Sequence, residues 1–246
     1  MPEIHLYHLP RNLLNILLNC FFRVGAIKKE EKFSFLGDIK ILIGNKNYLK
    51  VVLSMTLSFA AYIAFLTNQD LLYKPYGYNS QDVSILNIVL VISGLLGSMI
   101  CARYLDGERP KYKLLFNVCS VIGLVFNALF LVTIPLGLPK YVFGINLFLY
   151  GLFIIPTFSV IFPYVVELTY PCNEAVSIGL MLLCCRIGAT LFGVLGTIIA
   201  EVGFFYCASF ITFVTFLGVL PAFFIVEELR KINMTSFYHF FNKVSM

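Results

Sequence analysis

The chain has 246 residues, 59% of them hydrophobic and 13% charged, and its formal net charge is +5. With a mean hydropathy of +0.88 it carries more apolar surface than a soluble domain of this length can bury, which excludes that class. The positive charge does not form a nucleic-acid patch either. Fifteen of the 18 Lys and Arg fall into three groups, at 1–50, 103–113 and 230–243, and six crossings of a bilayer would bring all three to one side.

Residues 1–49 form a basic lead-in. Its apolar stretch from Leu13 to Phe22 is short and interrupted by Asn15 and Asn19, so a helix lying in the membrane interface is expected, followed by the solvated cluster Lys28-Lys29-Glu30-Glu31-Lys32. Six apolar runs come next, at roughly 50–69, 83–105, 114–134, 141–166, 176–199 and 203–226. Each is long enough to cross about 30 Å of hydrocarbon at about 1.5 Å per residue, and lipid obliges the backbone to close its own hydrogen bonds. The expected fold is an all-α membrane protein: a lead-in at 1–49, a six-helix transmembrane bundle at 50–226 and a tail at 227–246.

The positive-inside rule places both termini in the cytosol, since the connections near 70–82 and 135–140 carry one basic residue each, Lys74 and Lys140. The 167–175 connection has no Lys or Arg and is placed by the count of crossings alone. Asn233-Met234-Thr235 matches a glycosylation acceptor but falls on the cytosolic side. The plasma membrane is the default residence, with mitochondrial and endosomal membranes as alternatives.

The seven Cys lack metal spacing, all three His lie outside the apolar runs, and no Gly-rich phosphate loop is present. The chain therefore reads as neither an enzyme nor a cofactor protein. Gly94 and Gly97 in the second run, and Ala189, Gly193, Gly196 and Ala200 in the fifth, have the spacing of closely packed helices. Pro156 and Pro163 interrupt the fourth, as passive kinks or as the border of a cavity.

Three constellations carry candidate chemistry. Asn68-Gln69-Asp70 closes the first run with Tyr62 about two turns deeper; the amides bind a solute or a neighbouring helix, or are simply wet. Glu167-Leu-Thr-Tyr170-Pro171-Cys-Asn-Glu174 ends the fourth run at the cytosolic mouth, where its carboxylates either interlock with basic loops or cap a helix. Arg186 sits about ten residues into the fifth run, near the membrane midplane, where a lone guanidinium costs at least about 2.5 kcal/mol. Every acid of the chain lies nearer one surface, so Arg186 calls for a ligand, water, or an acid on another subunit or segment.

These residues resemble a known family. From about Phe35 to Ala200 the chain is similar to the second half of a major facilitator superfamily transporter of the feline leukemia virus subgroup C receptor-related family. The likeness is carried by Gly44-Asn-Lys-Asn-Tyr48, Asn68-Gln69, Leu105-Asp106 with Tyr112-Lys113, Glu167-Leu-Thr-Tyr170-Pro171 with Glu174, and Gly179-Leu180. It implies two six-helix bundles rocking about a central site to move choline, ethanolamine or haem-related cargo.

Arg186, Asn68, Gln69 and Tyr62 are the expected substrate contacts. Asp106, Arg109, Glu167, Tyr170, Pro171 and Glu174 are the expected latch and gate, although Ala102 stands where the superfamily's latch has its first Gly. Arg186 replaces a Gln lining the family's cavity, which favours an anionic cargo over a quaternary ammonium, and the chain has no Trp for an aromatic cage. Six spans are present where the family has twelve, so a second six-helix half is expected as partner: another copy, a separate chain or an upstream segment. The alternative is a truncated, non-transporting relative that binds or regulates a full-length transporter.

Overall fold

The computed structural model describes residues 35–106, 111–137 and 139–226. The expected interfacial helix at Leu13–Phe22, the Lys28–Lys32 cluster, Arg109, and the tail with Asn233 lie outside the described residues. The described residues from Leu36 to Val226 belong to one compact unit. A short helix α1 (Phe35–Gly44) is followed by six long ones: α2 (Lys46–Tyr73), α3 (Ser80–Leu105), α4 (Tyr112–Thr133), α5 (Lys140–Thr169), α6 (Glu174–Val202) and α7 (Phe204–Phe223). All six are long and apolar enough to cross a membrane, and no strand occurs among the described residues.

The ends are set by local chemistry. Asn45 caps α2, its side chain accepting from the N–H groups of Asn47 and Tyr48, which satisfies donors that a helix start otherwise leaves orphaned. Asn173 does the same for α6, accepting from the Ala175 N–H at 2.9 Å. Asp82 reaches back to the Asn79 N–H at the start of α3 and holds Lys140 at the start of α5 at 2.6 Å. A single residue, Gly203 at φ 153°, joins α6 to α7; that backbone conformation is open to glycine and strained for any side chain.

α2 packs chiefly on α6 and α7, and α5 on α3 and α4. The core has two layers. One, at the end carrying α1, contains Tyr48, Met55, Phe116, Tyr164 and Met181. The other, at the far end, contains Phe65, Phe130, Phe143, Tyr150 and Ile211. Phe158 of α5 packs against both. Close approach is built from glycine: a Cβ on Gly97 of α3 would strike the carbonyl of Leu152 and the ring of Pro156, and one on Gly151 would strike Ser93 and the Leu90 carbonyl. α5 runs unbroken through both its prolines, with Pro156 buried in that contact.

The end bearing α1 is tied together by one segment. The Asn45 amide donates to the Leu168 carbonyl at 3.4 Å, and the Tyr48 hydroxyl donates to the Ser177 carbonyl at 2.8 Å. Lys50 Nζ donates to the Phe224 carbonyl at 2.7 Å, and the Val226 N–H to Asn47 Oδ1. Tyr48→Phe is expected to lower the unfolding free energy by about 1 kcal/mol, since it orphans a buried contact and preserves the ring; thermal unfolding in detergent, at unchanged helix content, reads it. Asp38 of α1 accepts from the Asn173 N–H. Burial, and then the nearby Asp38 carboxylate, raise the neighbouring Cys172 thiol above its ordinary pKa. All six described cysteines are free.

Candidate functional site

Arg186 lies on α6 twelve residues after its first residue and sixteen before its last, hence within about 3 Å of the helix midpoint along the axis. α6 is seated on α2 by close contacts just past that level and further toward the end of the helix. A Cβ on Gly188 would come within 2.6 Å of Thr56, and one on Gly196 within 3.0 Å of the Asn68 amide. Two residues before Gly188 the Arg186 side chain is exposed, with its guanidinium 5.3 Å from the centre of the Phe59 ring.

Phe59 in turn meets Phe158 edge-on at 5.5 Å, and Phe158 meets Tyr62 at 5.3 Å. Three helices thus build one corner, with Phe59 and Tyr62 from α2, Phe158 from α5 and Arg186 from α6. The three rings are half-buried and the Arg186 side chain beside Phe59 is exposed.

No carboxylate of the described residues comes within 4.0 Å of Arg186. The six described acids of α2 to α7 all sit at helix ends: Asp70, Asp82, Asp106, Glu167, Glu174 and Glu201. α6 is also the least enclosed of the six spans, with 22% of its most apolar window buried. A fixed charge at mid-span on such a helix is expensive wherever lipid meets it. The aromatic face of Phe59 offsets part of that cost.

The structure brings Tyr62 and Arg186 together and keeps the two amides apart from them. Asn68 is wholly buried; its Nδ2 donates to the Ala64 carbonyl at 2.8 Å and lies against Gly196. Gln69 shares a helix face with Phe65 and Tyr73, four residues to either side. Opposite it, Asn146 of α5 lies between Phe143 and Tyr150. Phe65 meets Tyr150 at 5.5 Å and Tyr73 meets Phe143 at 5.0 Å, so the two amides occupy one layer between two aromatic pairs. Both are buried, and neither has a hydrogen-bond partner among the described residues.

Of the expected latch and gate, Asp106 is exposed at the end of α3, its N–H bonded to the Ala102 carbonyl. Glu167 is 8% exposed near the end of α5, Tyr170 is half-buried, and Pro171 and Glu174 are exposed. Glu174 is the first residue of α6, and Asn173 rather than Glu174 supplies the cap.

Sequence reasoning passed over Phe59, the partner of Arg186, and Phe158, which joins Phe59 to Tyr62. It also passed over Asn127, which donates to Thr215 at 3.3 Å and accepts from Thr212 at 3.1 Å. An Asn inside an apolar run was signal enough for Asn127 and Asn146; for the two Phe there was none.

Six antiparallel membrane-spanning helices, packed through glycine contacts with polar residues facing inward, make this an all-α membrane bundle of the major facilitator type. No protein-family model matches the chain. It is 31% identical over 169 residues to the choline/ethanolamine transporter FLVCR2 of Homo sapiens, covering 67% of this chain and 30% of the relative. It is 26% identical over 212 residues to the choline/ethanolamine transporter FLVCR1 of Felis catus, covering 82% and 36%. An uncharacterized MFS-type transporter of Caenorhabditis elegans is 24% identical over 230 residues, covering 87% and 39%. The chain spans about a third of the length of these relatives. It belongs to the feline leukemia virus subgroup C receptor-related family of the major facilitator superfamily and is a multi-pass membrane protein.

Proposed function

We propose that this bundle is one six-helix half of a transporter that moves a small organic solute by alternating access, and that it supplies the C-terminal half of the family's fold. The observation that carries this reading is the corner of Arg186, Phe59, Tyr62 and Phe158, a charged and aromatic patch at mid-span on an open side of the bundle. Relatives named choline/ethanolamine transporters support a solute of that size. In this reading the end bearing α1 faces the cytosol, since Lys46, Lys50, Arg103, Lys111 and Lys113 gather there. Asp106, Glu167, Tyr170, Pro171 and Glu174 then border the cytosolic mouth, and Asn68 and Gln69 lie deeper in the wall behind the solute.

A second reading is a chain that binds or regulates a full-length transporter without moving solute itself. Flux of labelled choline, ethanolamine and small organic acids into proteoliposomes holding the chain paired with a second six-helix half, another copy or a co-expressed one, separates the two. Saturable flux above empty vesicles is the expected result. No flux of any solute, together with co-purification of a twelve-span relative from co-expressing cells, would establish the second reading instead.

A further inference from the structure

We infer that the Arg186 corner selects its solute by charge and takes a small organic anion, a carboxylate on a flat apolar body. The inference rests on the reading that this corner faces the solute and adds the class of solute.

Arg186 is the one full charge in the middle of any described spanning helix, and every described acid of those helices is at an end. A cation entering at this level meets a guanidinium and no carboxylate. One of the ring faces that would attract a cation, that of Phe59, is already taken by Arg186 at 5.3 Å. An anion meets the reverse: a mid-span charge unpaired among the described residues, in surroundings where an ion pair is weakly screened.

Geometry narrows the class. The guanidinium is a planar fork whose N–H groups can donate to both oxygens of a carboxylate at once. Beside it, Phe158 meets Phe59 at an interplanar angle of 78° and Tyr62 at 58°. The three rings therefore form an apolar corner, with a phenol hydroxyl on Tyr62, against which a flat body can rest. A compact, fully polar anion would use the fork and waste the rings.

The test uses the full chain in lipid nanodiscs and three probes: benzoate, choline and inorganic phosphate. Benzoate is expected to raise the unfolding midpoint, with choline and phosphate leaving it unmoved. Arg186→Gln is expected to weaken benzoate binding about tenfold or more, and Arg186→Lys, which keeps the charge and loses the fork, to weaken it by less.

The inference is overturned if choline or phosphate stabilises the chain and benzoate does not. It also falls if benzoate binds Arg186→Gln and Arg186→Lys as tightly as the parent, which would point to Arg186 as a partner for a carboxylate of a second half. Choline flux with no benzoate binding would sink the charge inference and leave the transporter reading standing. No flux and no binding of any probe would sink both.

Discussion

Gly97→Ala and Gly151→Ala are each expected to lower the unfolding free energy of the bundle by about 1–3 kcal/mol, the usual cost of forcing atoms into a filled contact. At both sites the added methyl meets backbone as well as side chain: the Leu152 carbonyl at Gly97, the Leu90 carbonyl at Gly151. α3 and α5 would have to separate, because neither carbonyl can rotate away. Gly193→Ala is the control. It lies in the same kind of small-residue stripe on α6, yet nothing stands within 4 Å of its added Cβ, so stability should hold or rise slightly with better helix propensity. Thermal unfolding of the three variants in one detergent decides the matter, and equal midpoints for Gly97→Ala and Gly193→Ala would refute the close approach of α3 and α5.

Gln69→Met should raise stability while Asn127→Leu lowers it. Both wild-type residues are amides buried within the bundle, and their surroundings differ. Asn127 is bonded to Thr212 and Thr215 of α7, and losing such an interhelical pair in a membrane costs about 0.6–2 kcal/mol. Gln69 has neither its oxygen nor its nitrogen bonded to any described residue. A buried amide without a partner costs about 1–3 kcal/mol, and a Met fills similar space without that cost. A gain for Gln69→Met accompanied by a fall in solute flux would mark Gln69 as retained for function at the expense of stability. If Gln69→Met destabilises as much as Asn127→Leu, the layer between the two aromatic pairs is bonded after all.

The long-range order of this fold is legible in the sequence. Apolar runs at 83–105 and 141–166 became helices at Ser80–Leu105 and Lys140–Thr169, because hydrocarbon length and backbone self-satisfaction leave few alternatives. The first span began earlier than its apolar run, at Lys46, since Asn45 supplies a cap and Lys50 extends its stem to the Phe224 carbonyl. The pairing of residues across helices was not legible. Arg186 stood out as a charge in lipid, but Phe59 and Phe158 are two of 25 Phe, and only packing singles them out. Gly97 and Gly193 look alike in sequence, and the helix facing each one decides that the first is tight and the second open. Asn68 and Gln69 are adjacent in the chain and turn to different neighbours, Gly196 in one case and the aromatic layer in the other, as the helical period of about 3.6 dictates.

Four residues between Asn45 and Lys50, at the start of α2, bind partners around one end of the bundle: Asn45 to the end of α5, Tyr48 to the start of α6, Asn47 and Lys50 to the chain just past α7. Such an arrangement is a hub, with α2 as its axle. A tilt imposed on any one of those helices is resisted by the others through α2, so the bundle answers a load by turning as a block rather than by shearing between helices. Force applied at α1, whose last residue abuts the hub, would accordingly reach the Arg186 corner through the rotation of a rigid body and without a chain of local rearrangements.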